Sequence, residues 1–185
     1  MNNVHEKSVL RLRKRHGSGE GVAATAADGG RLVNAQSFRN AVVSGLIAII
    51  VFSLFWVTLS ALFDKVFPWF TVVLGIFLGF AIRLTGRGLD WRFPALAAGL
   101  ALAGSLVANV IVAASVTAEA EGTATLHVLQ SVTSMTWPVF FNEVLTVADG
   151  FFAVVAAGLA AFFANRKLTR KQYYALRQWR EESDA

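Results

Sequence analysis

GIFLGFAIRLTGRGLDWRFP, residues 75–94, is the stretch of sequence that decides the fold. It joins the end of one apolar run to the start of the next through a short polar turn that contains Arg83, Arg87 and Arg92. Apolar runs of about 20 residues on both sides of such a turn are long enough to cross the hydrocarbon core of a bilayer. The stretch therefore predicts a hairpin between two membrane helices, with its turn in the cytoplasm.

The composition favours a membrane protein over a soluble enzyme. Of the 185 residues, 55% are hydrophobic and only 16% are charged, which leaves too little polar surface for a soluble domain of this size. The chain has no cysteine, which excludes disulfides, thiolate metal sites and cysteine nucleophiles. Its basic residues flank the apolar runs, so the net charge of +5 indicates an anionic lipid surface and not a nucleic acid as partner.

Four apolar runs predict four transmembrane helices, near residues 41–63, 68–84, 94–116 and 147–165. The first and third runs have 23 uncharged residues each and, at about 1.5 Å per residue, would be about 34 Å long. The second run has 17 residues and ends at Arg83, whose long side chain can reach the headgroups. The predicted fold class is all-α, an integral membrane four-helix bundle over residues 41–165.

The connection between the third and fourth runs, residues 117–146, is predicted to be an outer loop. Residues 126–145 within it are fairly apolar, but His127, Pro138 and Glu143 would be costly at the centre of a bilayer. Apolar side chains recur there at helical spacing with serine and threonine between them. This pattern predicts an outer interfacial amphipathic segment or a shallow re-entrant segment.

The distribution of positive charge predicts that both termini are cytoplasmic. Sixteen of the 17 lysines and arginines precede the first run, lie between the second and third runs, or follow the fourth. The outer loop has none. Short cytoplasmic connections carry an excess of lysine and arginine, and a fifth span would place the basic C-terminal segment outside.

The two ends of the chain are predicted to be cytoplasmic tails. Residues 1–40 form a basic, partly disordered tail, in which residues 4–15 are either a short basic helix on lipid or a solvated segment. Residues 17–30, rich in glycine and alanine, predict a disordered linker. Residues 166–185 predict a basic helix that continues the fourth span and serves as a topology determinant or a docking surface. Predicted cytoplasmic contacts with anionic lipid involve Arg83, Arg87, Arg92, Arg166, Lys167, Arg170 and Lys171.

Small residues recur at four-residue spacing in three of the runs. In lipid, small residues let helix backbones approach closely and gain dispersion contacts. Such residues form either a seam between copies of the chain or the packing within one bundle. The predicted helix-packing residues are Gly75, Gly79, Gly99, Ala153, Ala157 and Ala161, beside a second row at Ala156, Ala160 and Ala164.

Ionisable and amide side chains near the outer face offer the only candidate for ligand chemistry. Asn109, Glu143 and Asp149 could line an outward-facing polar pocket for a cation or a proton. The alternative is that Asp149 caps the fourth helix, since an acidic side chain suits a helix N-terminus. The histidines are not spaced with other ligands, residues 86–88 lack the phosphate-loop pattern, and no catalytic or cofactor signature is present. We therefore expect no metal, no cofactor and no enzymatic activity.

Two stretches carry a resemblance: GIFLGFAIRLTGRGLDWRFPALAAGLALAG (75–104) and ADGFFAVVAAGLAAFFANRK (148–167). Both resemble small bacterial inner-membrane proteins that have four helices and no assigned activity. In that pattern a glycine-spaced second helix leads through a basic turn to a small-residue third helix, and the last helix begins with an aspartate. The resemblance implies a bacterial cytoplasmic membrane and assigns no functional residues.

These observations favour a non-enzymatic integral membrane protein that acts in assembly or interaction within the bacterial envelope. Its partners would be the lipid bilayer with its anionic lipids, and further copies of the chain or other membrane proteins. The alternative is a small transporter or channel subunit that uses the outward-facing polar pocket.

Overall fold

The computed structural model describes residues 25–63, 65–131, 136, 138–139, 142 and 145–183. These residues form helices and contain no strand, which confirms the predicted all-α class. The helices are α1 (Ala26–Asn34), α2 (Phe38–Phe63), α3 (Phe70–Gly86), α4 (Arg92–Glu121), α5 (Thr125–Ser131), α6 (Val147–Ala164) and α7 (Arg170–Ser183).

Helices α2, α4 and α6 have 26, 30 and 18 residues and are long and apolar enough to cross a membrane. Helix α3 is a shorter apolar helix. The chain is thus a membrane protein by the length and composition of its helices, as predicted. Helix α4 extends five residues beyond its predicted end and stops where Gly122 adopts the left-handed conformation, with φ 66°, that commonly ends helices.

Helices α2, α3, α4 and α6 pack against one another and are called the bundle below. Buried side chains fill the bundle in two clusters, one around Leu78, Ile82 and Phe93 and the other around Trp56 and Leu74. Large apolar side chains cover the outside of the bundle, among them Leu54, Phe55, Phe151 and Phe162, which are all more than half exposed. An exposed apolar surface of this extent is expected where lipid, and not water, is the solvent.

The closest backbone approach in the bundle joins α3 to α6. A Cβ added at Gly75 would lie 2.7 Å from Ala156 Cα, and one added at Gly79 would lie 2.7 Å from the Ala160 carbonyl oxygen. Only glycine leaves room for these contacts. Both predicted packing glycines therefore act within one chain, and the interpretation of this pair as a seam between copies is wrong.

The alanine rows of α6 differ in burial. The row that faces α3 most closely is fully buried and consists of Ala156, Ala160 and Ala164. The predicted row is buried at Ala153 and Ala157 but only half-buried at Ala161. Gly99 is exposed, and a Cβ added there would meet nothing within 4 Å, so its predicted role in packing is wrong within this chain.

Helix α1 corrects the prediction that residues 17–30 are a disordered linker, which is wrong from Ala26 onward. Thr25 and Asp28 form a capping box at its start. Helix α1 packs on α7, and Gly29 allows the contact, because an added Cβ would overlap the Ala175 carbonyl oxygen and lie 2.7 Å from Trp179 Cβ. The predicted basic segment 4–15 lies outside the described residues.

The prediction that the C-terminal segment continues the last apolar helix is wrong. Helix α6 ends at Ala164, and Asn165 is extended, with φ −65° and ψ 127°. Helix α7 has its own N-cap, in which the Gln172 backbone N–H donates to Thr169 Oγ1 at 3.4 Å and the Thr169 N–H donates to Gln172 Oε1 at 3.1 Å. Helix α7 is therefore a separate element.

Helix α5 occupies the first part of the predicted amphipathic segment. Its Val128 is buried against Ala114 and Ala118 of α4, whereas Leu126 on another face is exposed. Residues 132–135 lie outside the described residues, so the choice between an interfacial and a re-entrant segment stays a prediction.

Candidate functional site: a basic cavity at one end of the bundle

Three segments that are far apart in the sequence meet at one end of the bundle. The Ser37 N–H donates to the Gly86 carbonyl oxygen at 3.0 Å, and the Leu89 N–H donates to Gln36 Oε1 at 3.0 Å. These bonds join the segment before α2 to the turn between α3 and α4. Helix α1 precedes that segment and packs on α7, so α7 lies at the same end. The described parts of the segments that the charge pattern assigns to one side thus lie together; we call this region the basic end.

A cavity of about 500 Å³ lies between these segments. Four cationic side chains and one carboxylate line it, which gives a formal charge of +3. The lining residues used below are Asp28, Arg31, Arg87, Arg166, Lys171 and Gln172. We call it the basic cavity.

Arg166 is half-buried where the chain leaves α6, and its Nη1 is buried without a hydrogen-bond partner among the described residues. A guanidinium carries five N–H donors and no acceptor, so it can be satisfied only by an oxygen that approaches it. A buried polar group without a partner costs about 1–3 kcal/mol. Arg166 lines the basic cavity, and its Nη1 donor therefore lacks an acceptor there.

Arg87 reaches the cavity from a backbone conformation that disfavours it. It ends α3 with φ 49° and ψ 31°, the left-handed region, where glycine is the usual residue. Neighbouring Gly88 serves packing instead, since a Cβ added there would overlap the Phe93 ring. A non-glycine residue held in this region stores strain, and such strain is concentrated at functional sites.

Asp28 balances the cations only weakly. Its Oδ2 accepts hydrogen bonds from the Thr25 hydroxyl at 2.9 Å and the Thr25 N–H at 3.4 Å, and its Oδ1 lies 4.0 Å from Arg31 Nη1. The Arg31 side chain is 85% exposed, and exposed pairs of this kind contribute little. The cations therefore stay available to an anion from outside the chain.

A second, open hollow of about 750 Å³ adjoins the basic cavity, and Ala35 and Arg87 line both. Its walls are α2 and α3, whose Ser44 and Thr85 hydroxyls are 2.6 Å apart. Exposed apolar side chains line this groove at Val43, Ile47 and Leu84, and polar side chains line it at Ser37, Arg39 and Asn40. The groove and the cavity together combine cationic groups with an apolar wall.

The predicted lipid contacts divide among three hollows. Arg87, Arg166 and Lys171 line the basic cavity, whereas Arg83 and Lys167 line a smaller hollow beside aromatic side chains of α3 and α6. Arg92 and Arg170 are exposed and line none of these three. The sequence analysis missed Arg31, although the capping-box spacing of Thr25 and Asp28 is a signal for the helix that positions it.

The predicted polar pocket is described only in part. Asn109 on α4 and Asp149 on α6 are both buried, at 7% exposure, and Glu143 lies outside the described residues. The Asp149 carboxylate accepts hydrogen bonds from the Thr146 hydroxyl at 2.6 Å and the Thr146 N–H at 2.9 Å, and its own N–H donates to Thr146 Oγ1. This capping box confirms the alternative interpretation of Asp149, while the pocket stays a prediction.

Buried hydroxyls inside the bundle were not predicted as a site. The side-chain oxygens of Ser53, Ser60 and Thr71 and the indole nitrogen of Trp56 are buried and have no hydrogen-bond partner among the described residues. Three of these residues follow helical spacing along one face of α2, which was visible in the sequence. Buried polar groups of this kind normally hold a water or a ligand.

No metal centre is formed by the part of the chain that the structure describes, in which no three histidine or acidic side chains are grouped to hold an ion. Comparison with known protein families, with curated proteins and with solved structures found no match. The function is therefore inferred from the sites themselves.

Proposed function

We propose that this chain is a non-enzymatic, four-span protein of the bacterial cytoplasmic membrane that acts in assembly within the envelope. The observation that carries the proposal is the packing of α1 on α7 through Gly29, which joins the two ends of the chain beside the bundle. This pair presents an ordered polar surface on a protein whose bundle helices are apolar. A surface of this kind suits contacts with other proteins better than it suits catalysis.

The path of the chain supports α3 as the fourth span. Helix α2 begins at the basic end, beside the Gly86 carbonyl at the end of α3, and α4 starts next to the same turn. Helix α3 must therefore bring the chain back along the whole bundle. Its 17 residues correspond to about 25 Å, and the hydrogen-bonded turn at residues 67–69 leads into it. This length suits a span whose ends reach into the interface.

The positive-inside rule orients the bundle in this proposal. The basic end gathers α1, α7 and the turn that contains Arg87, so it belongs in the cytoplasm. In the sequence, the connections at the opposite end contain one lysine, Lys65, and no arginine. Glu119 and Glu121 lie at the same end.

Helix α7 provides a contact surface that the bundle does not cover. Tyr173 and Tyr174 are 59% and 58% exposed, and exposed tyrosine and arginine are enriched where proteins dock. On the same helix Arg177 Nε donates to Glu181 at 2.8 Å, and this hydrogen bond and the carboxylate charge raise the pKa of Arg177. We infer that a protein partner or a second copy of the chain binds α7.

Co-purification in mild detergent tests this assignment. We expect the wild-type chain to migrate as a complex larger than one copy, and we expect Tyr173→Ala combined with Tyr174→Ala to reduce it to a single chain. Arg92→Ala, at an exposed position at the start of α4 and outside α7, is the control and should leave the complex intact. A wild-type protein that purifies as a lone chain would contradict assembly. A phosphatase reporter fused to the C terminus that is active outside the membrane would contradict the orientation.

A transporter or channel subunit is the second candidate, and the buried polar groups of α2 and α3 favour it. Ser53, Trp56, Ser60 and Thr71 leave hydrogen-bonding atoms without partners among the described residues, and Asn109 is buried on the adjacent α4. Polar side chains inside a membrane bundle often mark the path of an ion or a solute. The liposome experiment on Asp149 described in the Discussion separates this candidate from the first.

A further inference from the structure

We propose that the basic cavity binds the phosphate group of an anionic membrane phospholipid, with an acyl chain of that lipid in the adjoining groove. The inference rests on the proposed function only in placing the basic end at the surface of the membrane. The chemistry comes from the described residues of the cavity and the groove.

The cavity has the composition of a phosphate site. Three arginines and one lysine line it, and planar guanidinium groups bind phosphate oxygens through paired hydrogen bonds. The first turn of α7 contributes Lys171 and Gln172, and the positive end of a helix dipole favours an anion there. Phosphate oxygens would accept hydrogen bonds from these cationic side chains, to which the described residues offer few acceptors.

The observation that most directly indicates a ligand is the unsatisfied donor of Arg166. Its Nη1 is shielded from solvent and has no acceptor among the described residues, although the side chain lines a cavity large enough for a headgroup. Arg166 lies two residues beyond the end of α6, in the segment that leads to α7. A phosphate oxygen that reached Nη1 after a rotation of the Arg166 side chain would supply the missing acceptor.

Arg87 links the two hollows and favours a lipid over a soluble anion. It lines both the cavity and the groove. From this point the groove continues along α2 and α3 past the exposed apolar side chains of Val43, Ile47 and Leu84. An inorganic phosphate would use the cations alone, whereas a phospholipid would use the cations and the apolar wall. The depth also fits, because the hollows lie where α2 begins and α3 ends.

The two central arginines each act against the stability of the empty protein. Arg87 holds a left-handed conformation that glycine would adopt without strain, and Arg166 buries a donor without a partner. Residues that lower stability in this way are typical of binding sites, where function opposes stability. Replacing them should therefore weaken lipid binding without weakening the fold.

Titration of the purified full-length protein, in a maltoside detergent, tests the proposal. The probe is dioctanoyl-phosphatidylglycerol, with dioctanoyl-phosphatidylcholine and sodium phosphate as comparisons, and binding is followed by native mass spectrometry and calorimetry. We expect phosphatidylglycerol to bind at least about tenfold more tightly than either comparison, because the cationic lining repels the choline group of phosphatidylcholine and sodium phosphate has no acyl chain for the groove. Arg166→Met and Arg87→Gly should each weaken its binding by about tenfold or more.

The controls are exposed cations at the same end of the bundle that do not line the cavity, Arg92→Gln and Arg170→Gln. They should bind phosphatidylglycerol like the wild type. Without lipid, Arg87→Gly and Arg166→Met should unfold at no lower temperature than the wild type, so lost binding does not reflect a lost fold.

Three results would overturn the proposal. Equal losses in the control variants would mean diffuse attraction to the basic end. Equal affinity for sodium phosphate would mean a site for a soluble anion. Equal affinity for phosphatidylcholine would mean that the cations do not select the headgroup. The measurement needs no partner and no orientation in a membrane, so it can fail while the assembly proposal stands, and the reverse also holds.

Discussion

The two ends of the bundle are held in different ways. At the basic end, hydrogen bonds and close contacts join segments that are distant in the sequence, as between Ser37 and Gly86 or between Gly29 and Ala175. At the opposite end the described hydrogen bonds are local, as in the capping box of Thr146. The basic end is thus organised by tertiary contacts, and the opposite end by the local chemistry of helix termini.

Aromatic side chains take the place of tertiary hydrogen bonds at the opposite end. Between α2 and α3, the rings of Phe67, Trp69 and Phe70 contact one another in edge-on or tilted geometry, with ring centroids 5.0–6.2 Å apart. Aromatic belts of this kind favour the interface between hydrocarbon and water. The aromatic composition of this end suits an interface, whereas the basic end is held by hydrogen bonds between distant segments.

The contact of α3 with α6 connects the two ends, and breaking it gives the largest expected effect. Gly75→Leu would force a side chain against the Ala156 backbone, which has no rotamer to move away. We expect the free energy of unfolding to fall by about 3 kcal/mol or more, because overpacking against backbone is costly. Thermal unfolding in detergent, followed by circular dichroism, measures this loss.

Gly99→Leu is the matched control, because an added Cβ at Gly99 meets nothing within 4 Å. It should change the unfolding temperature little. If Gly75→Leu were as harmless as Gly99→Leu, the close packing of α3 on α6 would be incorrect.

The contrast between the ends also explains which features the sequence predicted. The apolar runs indicated the helices of the bundle because hydrophobic length is a local property. The spacing of Gly75 and Gly79 indicated close packing, and Thr146 and Asp149 show a capping-box pattern. Each of these signals lies within a few residues of the structure it specifies.

Features of the basic end were predicted poorly because they depend on residues far apart. Composition alone suggested disorder for residues 17–30, yet part of this segment is helical where it packs on α7. Arg31, Arg87 and Arg166 lie in three different segments, and only the tertiary fold brings them to one cavity. No local pattern connects them, so the sequence analysis assigned Arg87 and Arg166 only to a general basic surface and missed Arg31.

Gly29→Leu should disrupt the basic end without unfolding the bundle. The larger side chain would overlap the Ala175 carbonyl and separate α1 from α7. We expect faster trypsin cleavage after Arg31, whose side chain is exposed, with little change in the unfolding of the bundle. Electrophoresis of timed digests measures the cleavage rate.

Gly30→Leu is the control for this variant, since an added Cβ there would meet only the movable Trp179 ring at 3.2 Å. Its cleavage rate should lie nearer to that of the wild type. Equal protection of the wild type and Gly29→Leu would contradict the packing of α1 on α7.

The smallest effect is expected at the opposite end, where Asp149→Asn distinguishes a helix cap from a transport residue. As a cap, Asp149 accepts hydrogen bonds from Thr146, and an asparagine oxygen can keep part of this function. We expect a loss of about 1 kcal/mol or less in the free energy of unfolding, and a similar loss in Thr146→Ala, which removes the other half of the capping box.

Transport by liposomes that contain the purified protein separates the two roles of Asp149. If capping is its only role, Asp149→Asn and Thr146→Ala behave alike, and neither changes any flux of ions or protons that the wild type shows. If the carboxylate binds a cation in the predicted polar pocket, Asp149→Asn abolishes the flux while Thr146→Ala retains it, because only the first removes the charge. Wild-type liposomes without any flux would exclude the transporter candidate and leave the opposite end as an anchor in the interface.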